Sequence, residues 1–369
     1  MKPGLAMRAR RRRFLWCLGA LPLVSCRTHA ADIAVQYARV TPGRTLQFPA
    51  DFGSHPDYRT EWWYITGWLE DEHGAPLGVQ ITFFRHRPGI AEGNASRFAP
   101  RQLLFAHAAI ADPRTGHLRH EQRAARAGFS LAEASQGNTD VRLEDWSLVR
   151  NGDIYTARIR GSAFTLDLAF RATQAPLLEG EVGYSRKGPR PEQASYYYSE
   201  PHLAASGDIA LDGGRRFATR GSAWCDHEWS NEYLAPEAAG WDWTGINLDD
   251  GGALMAFVIR RRGGGVLWAG GSLRPAGAAV RAFAPAEIRF EARRTWRSPR
   301  TQAVYPIAPT VHAGELAYEL EPLFDDQELD ARVSTGIVYW EGAVRALRAG
   351  REVGRGYLEL TGYASEVRL

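Results

Sequence analysis

Cysteine is scarce in this 369-residue chain: only Cys17, Cys26 and Cys225 occur, and the first two lie close to the N-terminus. The body therefore carries a single cysteine, which excludes an internal disulfide and any cysteine-based metal centre. Long apolar runs are also missing. The longest near the start, Phe14 to Val24, is too short to cross a bilayer as a helix. Amphipathic helical segments are nearly absent after residue 30, and Arg119 to Arg126 is the best of a poor set. No Gly-X-Ser-X-Gly elbow occurs, which argues against a serine hydrolase of that type. No histidine pair has the helical spacing of a zinc motif; His55, His107, His202 and His227 are the histidines available to join Asp226 or Glu228, and the expectation is no metal. Gly263-Gly264-Gly265 opens no helix, so no phosphate loop is expected and no cofactor is implied.

What the N-terminus does contain is an export signal. Lys2, Arg8 and Arg10 to Arg13 precede the short apolar run, and Arg11-Arg12-Arg13-Phe14-Leu15 fits a twin-arginine pattern. Two processing sites stand open. Leu23-Val24-Ser25-Cys26 resembles a lipoprotein box that would lipidate Cys26 and tether the protein to a membrane, and Thr28-His29-Ala30 offers ordinary cleavage. The expected location is the periplasm, free or membrane-anchored. Residues 1 to 25 hold six basic residues and no acidic ones, so removing them takes the formal charge from +3 to about −3. The basic balance is a property of the leader, and the mature chain has no electrostatic footprint for nucleic acid.

The rest reads as strands. Phe164, Leu166, Leu168 and Phe170 alternate with polar or small residues, as do Val79, Ile81 and Phe83, and turn signals such as His73-Gly74 and Asn151-Gly152 separate the runs. No βαβ rhythm appears, so the fold class is all-β, with antiparallel barrels or sandwiches. The length calls for two domains, 40–235 and 236–369, after a leader over 1–30, with the boundary where Pro236 and Gly240 interrupt the pattern. Tyr184 to Pro191 reads as a loop; its Arg186-Lys187-Gly188 is more simply a basic surface turn than an anion site.

Tryptophans gather with carboxylates. Trp62 and Trp63 follow Glu61; Trp224 and Trp229 flank Asp226-His227-Glu228; Trp241 and Trp243 flank Asp242. A carboxyl desolvated by indole rings has a raised pKa and holds a proton near neutrality, which suits acid catalysis in an apolar pocket. Strand alternation places Trp62, Tyr64, Thr66 and Trp68 on one face and Glu61, Trp63, Ile65 and Leu69 on the other; Trp224, Asp226 and Glu228 share a face. Which face meets a lumen is left open. The plainer reading has the tryptophans as core filling and the carboxylates hydrogen-bonded at strand ends.

Several segments resemble the AttH / carotenoid 1,2-hydratase-like family of exported bacterial proteins: Phe48 to Pro56, Arg59 to Tyr64, Gly183 to Gly188, Ser195 to Ser199, Asp226 to Ser230, Gly240 to Trp243, Asp325 to Leu329, and the tail from Tyr339-Trp340-Glu341-Gly342 to Tyr363. The resemblance implies two tandem lipocalin-like β-barrels and, for some members, hydration of the terminal double bond of acyclic carotenoids. Under it Asp226, in the family's Asp-X-X-Trp segment, is the proton donor. Trp224, Trp241 and Trp243 are candidate walls for a cation, and Tyr198, His227 and Asp242 are candidate handlers of water or protons. Glu61, Trp62, Tyr64 and Trp229 complete the ligand-binding set. Two functions stand side by side: an enzyme adding water to, or hydrolysing, an isoprenoid or lipid-like molecule, and a non-catalytic carrier of a hydrophobic ligand working with ABC-type export machinery. The site lies inside the first barrel or between the two domains.

Overall fold

Period-two alternation becomes strand wherever it occurs. In Phe164–Arg171 the residues Phe164, Leu166, Leu168 and Phe170 are buried while the intervening ones are half-buried or exposed. The structure, a computed structural model, describes residues 35–90, 92–211, 214–232 and 234–367. The leader read over residues 1–30, with Cys26, lies outside the described residues. Apart from two three-residue 3₁₀ turns, the named elements are all strands, and their paired neighbours are antiparallel.

Two sheets divide the chain. The first has 13 strands, beginning at Thr60 and ending at Ser230. Its central order runs from Leu103–Ala111 through Pro76–His86, Thr60–Asp71, Arg215–Ser230 and Ala194–Leu211 to Phe164–Arg171. Its two edges curl toward each other, with Gly128 bridging to Ala132, and Trp63, Ile65, Val79, Phe83, Leu148, Leu166 and Cys225 fill the interior. The second has 10 strands between Ala238 and Thr361, centred on Ala253–Arg261, Ala238–Leu248, Arg351–Thr361 and Ile337–Arg348. Ile246, Leu254, Tyr305, Trp340 and Leu358 belong to its own core. This is the all-β, two-barrel architecture expected.

A third apolar cluster lies between the sheets, built from the faces that point away from each interior. Tyr64, Trp68, Tyr197 and Trp224 of the first sheet meet Trp243, Met255, Phe257, Ala343 and Tyr357 of the second. Close approach is allowed by glycine. A Cβ on Gly78 would stand 2.5 Å from the Tyr357 hydroxyl and 2.8 Å from the Ala343 Cβ, and one on Gly245 would strike the rings of Trp243 and Trp224.

Two local expectations are corrected. Arg119–Arg126 is a strand, not a helix: it pairs with the Leu103–Ala111 strand from Leu103↔Arg126 to Ile110↔Arg119, and this ladder outweighs weak local propensity. Tyr184–Arg186 is a short strand paired with residues 194–196, not a loop. Lys187 after it is no surface residue: it is 1% exposed and its Nζ lies 2.8 Å from Glu228. A basic turn beside a buried carboxylate is drawn inward because the ion pair relieves that carboxylate's desolvation.

Because Gly78 sits where the sheets touch, Gly78→Val should lower unfolding free energy by about 1–3 kcal/mol. Chemical denaturation would measure it. The same change at Gly137, an exposed glycine with open space around it and no positive φ, tests the alternative that any glycine loss is equally costly.

Candidate active site between the two sheets

Register arranges the chemistry into rows. On the outer face of the first sheet, Phe105, Phe84, Trp62 and Glu228 follow one another across four strands, with Tyr197 next to Glu228. The adjacent row is His107, Thr82, Tyr64, Asp226 and Ser199. From the second sheet, Glu341 and Glu359 are directly paired, and Glu359 is paired in turn with Trp243. These faces enclose a cavity of about 310 Å³ lined by Trp62, Tyr64, Phe84, Tyr197, Trp241 and Trp243, with Asp226, Glu228, Glu341 and Glu359 among them. Ser334, Thr335 and Ile337 of the second sheet's 332–337 segment also line it. A larger groove of about 610 Å³ at the other end of the interface, lined in part by Trp68, Arg220, Trp224 and Arg355, holds none of these four carboxyls.

Asp226 is 3% exposed and fully engaged. Its Oδ1 accepts from Trp224 Nε1 and Ser199 Oγ, both at 2.6 Å, and its Oδ2 accepts from the Tyr197 hydroxyl at 2.6 Å. Tyr197 accepts in turn from Trp243 Nε1 at 3.0 Å, so the second sheet helps to hold the acid. Burial pushes the Asp226 carboxyl up to about 7, against the pull of its three hydrogen bonds and with the charge of Glu228 adding to the rise. Glu359, bonded by Trp241 Nε1 at 3.0 Å and Thr361 Oγ1 at 2.9 Å, is raised to about 7 for the same reason. Glu341 receives the Tyr64 hydroxyl at 2.5 Å and is held well above the carboxylate range by burial and by facing Glu359. Glu228 is raised by burial, with Lys187 and Ser195 opposing. The cavity is an aromatic chamber whose wall carries carboxyls that burial shifts upward, with Lys187 paired to Glu228 among them.

The opposite face of the same strands carries a different network. Glu61 takes His55 Nδ1 at 2.7 Å, His227 Nε2 at 2.9 Å and Arg85 Nε at 2.7 Å. Burial alone would raise its pKa, yet Arg85, His55 and His227 together hold it well below the carboxylate range. His55 also meets Asp51 at 2.9 Å, and the two carboxylates keep it protonated despite burial. His227 is kept neutral by burial, so its Nε2 donates to Glu61 while Nδ1 accepts from Tyr198 at 3.0 Å. Among the described residues His55, Glu61 and His227 are the group whose ligand atoms come within 4.8 Å of one another. Arg85 occupies the other oxygen of the same carboxylate, while His107 and His202 bond elsewhere.

The candidate residues thus fall into separate places. Asp226, Trp62, Tyr64, Trp241 and Trp243 line the cavity, and Trp224 holds Asp226 from behind. Glu61, His227, Tyr198 and Trp229 lie in the network on the other face, where Trp229 stacks on His55 at 3.7 Å. Asp242, one residue from Trp243, turns into the second sheet and binds Arg260 and Tyr363. Alternation is the physical reason: neighbours in a strand cannot serve the same chamber. Sequence reasoning passed over Tyr197, Glu341 and Glu359, although all three lie in segments that carry the family resemblance. Glu179, which meets Ser199, gave no local signal.

Removing Glu61 leaves Arg85 buried without its partner, so Glu61→Ala should cost about 3–5 kcal/mol of stability in a denaturation experiment. For Asp226 the sign is opposite. The folded carboxyl keeps a proton that the unfolded chain releases, so its contribution to stability falls as pH rises from about 4 to about 7 and is level above that. Asp226→Asn should flatten the stability–pH slope in this window by up to about 1.4 kcal/mol per pH unit. An unchanged slope between pH 4 and 7 would show that Asp226 is ionised in the folded protein throughout.

A model of the AttH-like family matches residues 39–363. Among solved structures, an AttH protein of Nitrosomonas europaea is 54% identical, with a TM-score of 0.83 over 88% of this chain and 99% of that one. Kievitone hydratase of Nectria haematococca shares the fold at 13% identity and TM-score 0.68, covering 90% of this chain and 97% of its own. CghA, solved with Sch210972, does so at 14% identity and TM-score 0.53, covering 90% and 98%. No curated protein matches by sequence. A family match over nearly all of the described residues, with a 54% identical relative of the same fold, makes this chain a member of the AttH-like family.

Proposed function

We propose that the chamber between the sheets binds a hydrophobic, isoprenoid-like molecule and adds water across its double bond, with Asp226 as the acid. The observation that carries this reading is a buried carboxyl, raised to about 7, in the wall of an aromatic cavity with donors fixing both its oxygens. Protonating a trisubstituted alkene makes a tertiary cation, whose stabilisation by each aromatic face is worth about 0.5–2 kcal/mol. Tyr64, Trp62, Trp241 and Trp243 supply such faces. Glu359 and Glu341 stand on the opposite wall and serve as acceptors that orient the attacking water. Fold likeness to kievitone hydratase is in keeping with water addition. The leader read in the sequence extends the proposal to the periplasm, with the protein free after cleavage at Ala30 or tethered through Cys26, where such a ligand and an export partner would be met.

The test is incubation with an acyclic carotenoid in deuterated water, comparing the wild type with Asp226→Asn. Expected is a hydrated product carrying one carbon-bound deuterium from the wild type, a loss of about 10²-fold or more in the variant, and a rate that declines as pH rises through about 7, because the protonated form is the active one. Equal binding by both proteins with no product from either would transfer the chamber to the carrier reading.

A further inference from the structure

Behind Asp226, away from the cavity, a second buried carboxyl is reached through one hydroxyl. Ser199 Oγ lies 2.6 Å from Asp226 Oδ1 and 2.9 Å from Glu179 Oε1. Neither Ser199 nor Glu179 lines the chamber, and both are completely buried. A hydroxyl has one proton to donate, so it can serve only one of the two carboxyls at a time; the other contact is a hydrogen bond only if that carboxyl carries a proton of its own. Two arrangements satisfy this requirement. Either Glu179 donates to Ser199 and Ser199 to Asp226, or the whole chain runs the other way. The oxygens of Asp226 are divided to match: Oδ1 faces Ser199 and Trp224 outside the cavity, whereas Oδ2 faces Tyr197, which lines it.

We infer that Glu179, Ser199 and Asp226 form a proton relay that draws part of the charge left on Asp226 out of the chamber during water addition. The inference rests on the proposed reading of Asp226 as the acid. Asp226 gives its Oδ2 proton to the alkene carbon, the π pair forms the new C–H bond, and a cation remains on the ligand. The Ser199 proton then passes to Oδ1 and the Glu179 proton to Ser199, so the negative charge is shared between Asp226 and Glu179 instead of being fixed at the cavity wall. Water bonds to the cation and releases a proton to Oδ2, the relay runs back, and the sum is alkene plus water giving alcohol. Drawing charge off the cavity wall disfavours both recapture of the proton and ester formation with the cation.

The surroundings of Glu179 fit a store that changes charge. Burial raises it to about 8, with Asp226 adding to the rise and Ser272, Ser199 and Lys187 opposing; Arg274 of the second sheet and Tyr197 also feel its charge. Ser199 and Glu179 are positioning residues, since they act through Asp226.

Infrared titration of the ligand-free protein reads the relay without any substrate. A protonated-carboxyl carbonyl band should vanish in Glu179→Gln, and in the wild type that band should shift at the pH step that ionises Asp226, a step absent from Asp226→Asn. In Ser199→Ala the shift should be lost. With a hydrated substrate in hand, Glu179→Gln and Ser199→Ala should lower kcat about tenfold or more with KM unchanged, and Ser199→Thr should restore it. A Glu179 that shows no protonated band below pH 7, a band that shifts equally in Ser199→Ala, or wild-type kcat in Glu179→Gln overturns the relay. If Asp226→Asn still hydrates the ligand, the reading of the acid fails instead, and the infrared coupling would remain to tell the two failures apart.

Discussion

Removing carboxyl groups from water between two aromatic sheet faces is the constraint on which the rest of this protein turns. Each sheet could have presented a polar outer face, as an isolated barrel would. Instead Trp62, Tyr64, Tyr197 and Trp224 on one and Trp241, Trp243 and Tyr357 on the other make the outsides as apolar as the insides. The sheets then pack against each other, and four carboxyls are enclosed with them. A buried carboxylate without a cation is expensive, and protonation is the cheaper state. The proton chemistry follows from the packing.

The contrast with Glu61 shows that burial alone does not decide the outcome. Glu61 pairs across strands with Trp229, three residues along from Asp226, and is at least as deeply buried, yet Arg85 and two histidines keep it ionised. One face of the Thr60–Asp71 and Arg215–Ser230 strands therefore carries a cluster in which opposite charges meet, at the end of those strands. The other face is a set of carboxyls held mainly by hydroxyls and indoles, with Lys187 paired to Glu228. The same two strands serve both, because their side chains alternate. Tyr198, His227 and Asp242, adjacent in sequence to chamber residues, are removed from the chamber by that same alternation.

Much of the architecture was legible in advance. Alternation with a period of two, turn signals at short intervals and the lack of helical stretches led to antiparallel barrels, and the sharing of a face by Trp224, Asp226 and Glu228 was readable from spacing. The strand at Arg119–Arg126 was not, since nothing local in that charged segment favours extension until the Leu103–Ala111 strand offers it a partner. Lys187 was misplaced because its depth depends on Glu228, some forty residues away. Glu341 and Glu359 approach Asp226 only through the contact between sheets, which leaves no mark in the spacing of any one strand.

The sequence by itself determined the strands, their two faces and the concentration of indole and carboxyl groups on those faces, because these depend on side-chain period and composition. Only the tertiary structure decided that the Asp226 face meets the second sheet and not the lumen of the first. A lumen and an interface are both apolar, so hydrophobicity cannot distinguish them. It also decided which carboxyls keep a proton, since that depends on whether a distant arginine or a distant indole arrives at each oxygen.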